Sequence, residues 1–190
     1  MWTKMSERVA KFGRRFRKSD GGATAVEFAL VAFPFISLLG ITMETGLLMF
    51  TEYTLQASVQ DAARLIRTGQ AQSAAMSASA FKAKICSTAG IIIDCTGGVT
   101  VYVRSDPTFA ALRAALPVFT NVGSSSTGTP NPTSYSCGGP LQAAAVVATY
   151  DWNFSMPGMN YLGNMGSANK RRLVGFAMFQ NEPFPAGSTC

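Results

Sequence analysis

Four cysteines are the side chains of this sequence with the clearest chemistry available to them. They are Cys86, Cys95, Cys137 and Cys190. No two of them form a C-x-x-C pair, so the spacing lacks the pattern of a structural zinc site. An even number of cysteines in a chain with an apolar, export-type segment favours disulfides in an oxidising compartment. Four cysteines allow three connectivities, of which we favour 86–95 with 137–190, and free thiols are the alternative.

Acid–base and metal chemistry have few candidate residues. The chain contains no histidine, which removes the commonest general base and metal ligand. Its aspartates are scattered, and no spacing places two of them on one helix face as an acid–base pair. They include Asp61, Asp94, Asp106 and Asp151. Gly97-Gly98 is followed by no G-K-[ST] sequence and is interpreted as a turn. The sequence therefore predicts a protein that is not an enzyme and that holds no cofactor or metal.

A second candidate for chemistry is the short segment that begins with two glycines. A basic stretch ends at Gly22, Glu27 follows five residues later, and Phe28 opens the main apolar run. This arrangement resembles the processing signal of type IV prepilins, in which a membrane aspartyl peptidase cuts after the glycine. Glycine suits a peptidase cleft because it has no side chain and permits an extended backbone. The resemblance implies a cut between Gly22 and Ala23 by a prepilin peptidase.

Such a cut would give Glu27 a partner. In an assembled fibre, a buried glutamate can pair with the new ammonium group of a neighbouring subunit, which offsets the desolvation of the carboxylate. The alternative interpretation is simpler. Gly21-Gly22 is then a hinge between tail and helix, and Glu27 is a carboxylate at the membrane interface. The residues themselves leave both interpretations open.

The element that must position this segment is a long apolar helix. Residues 28–43 carry no charge, and the apolar run resumes after Glu44. At 1.5 Å per residue, a helix over 23–50 is long enough to cross a bilayer with tilt. Pro34 is predicted to kink this helix, which membrane helices tolerate. A cleavable secretory signal is the rival interpretation, but the run is too long and no clean A-x-A site ends it.

Positive charge is concentrated ahead of this helix. The net charge is +6, and the basic leader over 1–22 carries most of it, whereas the rest of the chain is almost balanced. The positive-inside rule keeps such a leader in the cytoplasm. We therefore predict a single-pass protein of the bacterial inner membrane whose domain over 51–190 is periplasmic. No nucleic-acid partner is predicted, because topology already accounts for the basic leader, and Lys170-Arg171-Arg172 is interpreted as a solvated surface.

The apolar helix carries a further pattern. Residues 25–30 read A-V-E-F-A-L, Pro34 follows within the helix, and Glu44 stands at its far end. These positions resemble TadE-like proteins, the pseudopilins of the tight-adherence (Flp) pilus assembly system. Later stretches that look similar are 62–70, 81–86, Cys95 and 179–184. The resemblance implies a minor, pilin-like component of a pilus assembly and secretion machine. Many TadE-like proteins keep an uncut anchor, so cleavage is a separate question from family.

The long helix is predicted to continue beyond the membrane. An apolar stripe recurs at helical spacing over Leu48, Leu55, Val59, Ala62 and Ile66, and Gly69 is a plausible stop. We expect the stripe to pack on the chain's own domain, and packing against neighbouring fibre subunits is the alternative. A second helix is predicted over 73–88. A short one is predicted over 106–116, with Asp106 as its N-cap and Pro107 in its first turn.

Three strands are predicted to follow these helices, over 99–104, 142–154 and 173–180. Residues 120–140 are rich in Gly, Ser, Thr, Asn and Pro and are predicted to form a flexible surface loop. The fold class is therefore α+β, with helices packed on a roughly three-stranded antiparallel sheet. An 86–95 bridge would pin the end of the second helix, and a 137–190 bridge would tie down the C-terminus.

The predicted function is structural. We expect a membrane-anchored, pilin-like component that acts by anchoring and by protein–protein interaction. The expected partners are membrane lipid, other pilin-like subunits, pilus assembly proteins and a prepilin peptidase. The alternative is an uncleaved, membrane-tethered periplasmic binding module.

Overall fold

The computed structural model of the protein describes residues 22–90, 93–95, 97–116, 134–156, 158–165, 169–185 and 190. The chain divides into two compact units, Met1–Met43 and Glu44–Cys190. The predicted basic leader lies outside the described residues except for Gly22, as does the side chain of Ala23. Most of the predicted loop at 120–140 lies outside them as well, and its described part begins at Ser134.

One long helix, α1, spans Ala23–Arg67. It ends where the sequence predicts a stop, because Gly69 has a φ of 76°, in the left-handed region that glycine adopts without steric cost. The Gly69 N–H donates to the carbonyl of Ile66 at 3.1 Å and closes the last turn. A short helix, α2, follows at Gln70–Ser73. The predicted long N-terminal helix is confirmed.

The predicted apolar stripe of α1 is buried in the core of the second unit. Leu55, Val59 and Ile66 are fully buried there, and Leu48 and Ala62 almost so. Burying a Leu, Ile or Val side chain stabilises a fold by roughly 1.5–3 kcal/mol. Two polar residues of the same face are also buried, and each hydroxyl donates to a carbonyl one turn earlier: Thr51 to Leu47 and Ser58 to Thr54, both at 2.7 Å. The stripe therefore packs on the chain's own domain, as predicted.

A three-stranded antiparallel sheet forms the rest of the domain scaffold, in the order β1-β2-β3. Its strands are β1 (Val99–Asp106), β2 (Ala143–Asn153) and β3 (Lys170–Gln180). Helix α3 (Ala78–Ala89) precedes β1, and helix α4 (Phe109–Ala115) follows it. A short 3-10 helix, Met159–Leu162, lies between β2 and β3. The predicted α+β class is confirmed, and β1 and β3 are each longer than predicted.

Helices cover both faces of the central strand β2. Because side chains alternate along a strand, Ala144, Val146 and Ala148 join the core formed by α1 and α3. Ala143 and Ala145 point to the other face and pack with Leu112 of α4. The run from Ala143 to Ala148 is buried throughout, which explains its almost continuous apolar sequence.

The prediction of one helix over 73–88 is wrong in its first turn. The chain leaves helical geometry after α2, where Ala75 has a φ of 46°, and α3 begins only at Ala78. Ser77 is the N-cap, since its hydroxyl accepts a hydrogen bond from the Ala80 N–H at 3.2 Å. The break turns the chain so that Phe81, Ile85 and Ala89 of α3 reach the core.

The helix predicted over 106–116 begins later than expected, and its predicted cap is wrong. Asp106 is the last residue of β1, where it lies opposite Ala143, and its carboxylate accepts a hydrogen bond from Arg104 Nε at 2.9 Å. Pro107 consequently precedes the helix instead of occupying its first turn. Thr108 is the N-cap of α4, and its hydroxyl accepts from the Ala111 N–H at 3.2 Å.

Candidate functional site

The predicted processing motif lies at the start of α1. Gly22 forms a turn of 3-10 type immediately before the helix, and a Cβ added there would meet no atom within 4 Å. Glu27 and Phe28 are exposed in the first turns of α1. The motif is therefore presented at one helix end without steric cover from the described residues. Whether it is cleaved stays a prediction.

The helix after this motif exposes apolar side chains on all sides. Within residues 24–43 the most exposed large ones are Phe28, Leu30, Val31, Phe33 and Met43, each at least 70 % exposed. An 18-residue window of the helix has a mean hydropathy of 2.0, and none of it is buried. Two of its hydroxyls donate to carbonyls one turn earlier, Ser37 to Phe33 O and Thr42 to Leu38 O, both at 2.8 Å. By length and composition this helix can cross a membrane.

Pro34 lies inside this exposed stretch, and α1 continues on both sides of it. Proline has no N–H, so the carbonyl of Leu30 lacks its usual intrahelical donor. The kink that the sequence predicts at this position stays a prediction.

Glu44, the first residue of the second unit, has a role that the sequence did not predict. Its side chain is buried, and its two carboxylate oxygens accept hydrogen bonds from the N–H groups of Ser155 at 2.6 Å and Met156 at 2.9 Å. The glutamate thereby holds the beginning of the β2–β3 connection against α1. Its partners lie more than a hundred residues later in the chain, so no local pattern could have indicated them.

Beyond Glu44 the outer face of α1 remains apolar for about two further turns. Its exposed residues are Leu47, Met49, Phe50 and Tyr53. A shallow groove of about 350 Å³ lies beside them and is lined by Met49, Glu52, Tyr53, Gln56 and Val174. Apolar surface on α1 thus extends into the domain on the side opposite the buried stripe.

All four cysteines form disulfides. Cys86 pairs with Cys95 and Cys137 with Cys190, with Cα–Cα distances of 5.8 and 5.7 Å. This is the connectivity that the sequence analysis favours. The first bridge joins α3 to the segment before β1. The second attaches the last residue to the chain just ahead of β2.

Two buried carboxamides hold the loop around Cys137. Gln72 Nε2 donates to the carbonyls of Cys137 and Gly138, both at 3.2 Å. Asn181 Nδ2 donates to the carbonyls of Cys137 and Gly139, both at 2.9 Å. These bonds account for the asparagine in the F-Q-N-E-P-F stretch at 179–184.

The same stretch is fixed to the end of α1. The Glu182 N–H donates to the carbonyl of Arg67 at 2.9 Å, and the two side chains form an ion pair at 3.1 Å. The ring of Phe184 lies over Gly69, where an added Cβ would approach it to 2.6 Å. Glycine is required at this position both by its backbone angle and by this close contact.

The basic run Lys170-Arg171-Arg172 is only partly the solvated surface that the sequence predicts. Arg172 donates from Nε and Nη2 to the two carboxylate oxygens of Asp151, at 2.7 and 3.0 Å. The hydrogen bond to this carboxylate raises the pKa of the Arg172 guanidinium. Lys170 remains exposed, and Arg171 is half-buried.

Metal-ligating side chains do not converge in the part of the chain that the structure describes. Within that part, no three His, Cys, Asp or Glu side chains come close enough together to hold an ion. The carboxylates with defined partners are held by backbone N–H groups or by arginines, as Glu44, Asp151 and Glu182 illustrate.

These features define a class of protein: one long N-terminal apolar helix that continues into a small, disulfide-bonded α+β domain. The family model for TadE-like protein matches residues 22–64, which cover the glycine–glutamate segment and most of α1. The resemblance to TadE-like proteins is thereby confirmed over this part of the chain and supports a component related to the Tad pilus. The similar stretches beyond residue 64 stay predictions. No curated protein and no solved structure matches the chain.

Proposed function

We propose that this protein is a membrane-anchored, pilin-like component of a tight-adherence pilus assembly system and that it works by anchoring and protein–protein contact, not by catalysis. The observation that carries the proposal is the exposed apolar surface of residues 24–43 within a TadE-like segment. Such a surface is unfavourable in water and requires lipid or other apolar helices around it. The partners that follow are membrane lipid, pilin-like subunits and pilus assembly proteins.

The orientation in this proposal places the N-terminus in the cytoplasm and the domain in the periplasm of a single-pass inner-membrane protein. It is supported by the basic leader and by the two disulfides, which are typical of oxidising compartments. A reporter fused after Cys190 should be active only outside the cytoplasm, and the protein should require detergent for extraction. A cytosolic reporter, or recovery without detergent, would refute the proposal.

Processing by a prepilin peptidase is the second part of the proposal. The intact mass and first residue should be compared in cells with and without that enzyme, and a chain that starts at Ala23 is expected only with it. Gly22→Leu should abolish the cut, and it should spare the fold because a side chain at Gly22 meets open space. Gly46→Leu is the matched control, since a Cβ there also meets nothing within 4 Å. A full-length chain in both strains would favour the uncut, tethered module.

The role of Glu27 separates assembly from folding. The side chain is exposed and lies outside the second unit, so Glu27→Gln should leave the unfolding of the domain unchanged. It should reduce the number of pili, because the neutral carboxamide keeps a hydrogen-bond acceptor but cannot form an ion pair with an ammonium group. Glu52→Gln, further along α1, is the control. Normal piliation in the Glu27 variant would contradict the proposed helix-to-helix contact.

A further inference from the structure

We infer that the short helix Met159–Leu162, which lies between β2 and β3, rests in the phospholipid headgroup layer. This inference rests on the proposed function, because it requires that residues 24–43 span the membrane. It adds a second, separate membrane contact to the anchor.

The connection between β2 and β3 lies at the Glu44 end of the domain. Glu44 follows Met43 directly, so the end of the domain that holds Glu44 is the end attached to the apolar segment. Its carboxylate binds the N–H groups of Ser155 and Met156, which begin the connection. The connection therefore starts beside the first residue of the second unit.

The direction of β3 supports the same placement. Gly175, in the middle of the strand, lies against Leu55 and Val59 of α1, and Glu182, just beyond the strand, bonds to Arg67. β3 thus runs alongside α1 in the same direction, and its first residue, Lys170, lies toward the Glu44 end. Both strand ends that the connection joins, Asn153 and Lys170, are paired with each other at this end.

The short helix of this connection exposes large apolar and aromatic side chains. Tyr161 is 93 % exposed and Leu162 is 43 % exposed, although the neighbouring Met159 is buried in the core. Arg171 Nη1 donates to the carbonyl of Leu162 at 3.3 Å, so the short helix is held from both sides. The short helix is thus fixed in place and carries an exposed tyrosine and an exposed leucine. Tyrosine is one of the aromatic residues that membrane proteins place at the membrane–water interface.

Basic side chains lie beside the short helix. Lys170 is exposed and Arg171 is half-buried next to this helix, whereas Arg172 is neutralised by Asp151. A cationic side chain beside an interfacial tyrosine suits the phosphate groups of lipid headgroups. The occupant we propose is therefore the phospholipid surface itself rather than a protein.

The experiment uses the full-length protein reconstituted in vesicles of phosphatidylethanolamine and phosphatidylglycerol. All four native cysteines are in disulfides, so a single added cysteine is the reactive thiol that takes an environment-sensitive fluorophore. The probe sites are Tyr161→Cys, Phe109→Cys and Phe35→Cys. Phe109 is the matched control: it is also an exposed aromatic residue, but α4 lies at the opposite end of the sheet, after Asp106. Quenching is measured with lipids that carry a nitroxide on the headgroup or on the acyl chain.

We expect headgroup nitroxides to quench the probe at 161 several-fold more strongly than the probe at 109, and acyl-chain nitroxides to quench the probe at 35. Equal quenching at 161 and 109, with strong quenching at 35, would overturn this inference and leave the anchor intact. Absence of quenching at 35 would instead overturn the proposed function. A probe at 161 that stays in water in vesicles but is shielded in native membranes would indicate a protein partner and would also overturn the inference.

Discussion

Tyr135 shows at the scale of one residue how the domain tolerates a buried polar atom. Its hydroxyl is buried and has no hydrogen-bond partner in the described part of the chain, and its ring lies 5.7 Å from that of Phe81. Desolvation of the phenolate raises the pKa of Tyr135 to about 12. Because the neutral form is favoured in the folded state, this residue links stability to alkaline pH.

The unfolded chain releases the Tyr135 proton near pH 10, whereas the folded protein keeps it until about pH 12. The contribution of Tyr135 to the free energy of unfolding is therefore fully present below pH 10, and it is lost as the pH rises toward 12. Between pH 9 and pH 11, wild type should lose more of its unfolding free energy than Tyr135→Phe, which lacks the ionisable group; the difference should be at most about 1 kcal/mol, because the half-buried side chain stays partly solvated. Urea unfolding of both proteins at these two pH values measures the difference, and equal losses would contradict it.

Glu44 belongs to the same scale, because two backbone N–H groups depend on one carboxylate. Glu44→Ala would leave the N–H groups of Ser155 and Met156 without their acceptor, and we expect a loss of about 2 kcal/mol in the free energy of unfolding. Glu44→Gln keeps one acceptor oxygen and should lose less. Glu52→Ala, on a more exposed face of α1, is the control and should change stability by less than about 0.5 kcal/mol. If both alanine variants unfold alike, the hydrogen bonds of the Glu44 carboxylate to Ser155 and Met156 do not stabilise the domain.

At the scale of elements, the free edge of β3 is protected by two side-chain amides. Gln56 of α1 accepts from the Phe176 N–H and donates to the Phe176 carbonyl, both at 2.9 Å. Asn164 makes the same pair of bonds to Arg172, at 2.7 and 3.1 Å. Each carboxamide imitates one residue of a neighbouring strand. Because an open edge invites pairing with other chains, these residues protect the β3 edge at two positions.

This arrangement predicts the behaviour of Gln56→Leu. The substitution leaves the Phe176 N–H without its acceptor, while Gln60 Nε2 still reaches the carbonyl at 3.3 Å. We expect a loss of about 1–2 kcal/mol in the free energy of unfolding and increased self-association in detergent solution. Gln70→Leu, at an exposed position of α2, is the matched control. Unchanged stability and light scattering in the Gln56 variant would show that the edge needs no such protection.

Some elements are predicted well from the sequence and others are not. The difference depends on whether an element's position is set by neighbouring residues or by contacts with residues far away in the chain. The stripe of α1 and the stop at Gly69 depend on local periodicity and on one backbone angle, and both were predicted. Asp106 and Thr108 are both suitable N-caps, and pairing of Asp106 with Ala143 decides between them. The close approach of α1 to β3 depends on Gly175, where a Cβ would lie 2.8 Å from Val59. Nothing adjacent in the sequence indicates that contact.

The same distinction applies to the candidate site. The glycine–glutamate segment can be proposed from the sequence, by its spacing and by its resemblance to prepilin signals, because its residues are near neighbours at one helix end. The contact of Glu44 with Ser155 and Met156, and the partners of Asn181, join residues far apart in the chain. Single-sequence patterns do not contain such pairings, so the sequence could only place Glu44 at the end of an apolar run.

At the scale of the whole molecule, the two disulfides stabilise the fold unequally. Cys86 and Cys95 are separated by 9 positions, whereas Cys137 and Cys190 are separated by 53 and attach the C-terminus to the chain ahead of β2. A bridge restricts the unfolded chain more when the loop it closes is longer. The second bridge also fixes the loop that Gln72 and Asn181 bind.

We therefore expect Cys137→Ala/Cys190→Ala to lose about 4 kcal/mol of unfolding free energy and Cys86→Ala/Cys95→Ala about 3 kcal/mol. Urea unfolding of both double variants under non-reducing conditions tests this order. Thiol labelling of the single variant Cys190→Ala checks the pairing, since one free thiol should appear, on Cys137. The reverse order of stability would mean that the native contacts around the first bridge outweigh the entropy of the longer loop. A thiol on Cys86 or Cys95 instead would refute the connectivity and, with it, the attachment of Cys190 to the chain ahead of β2.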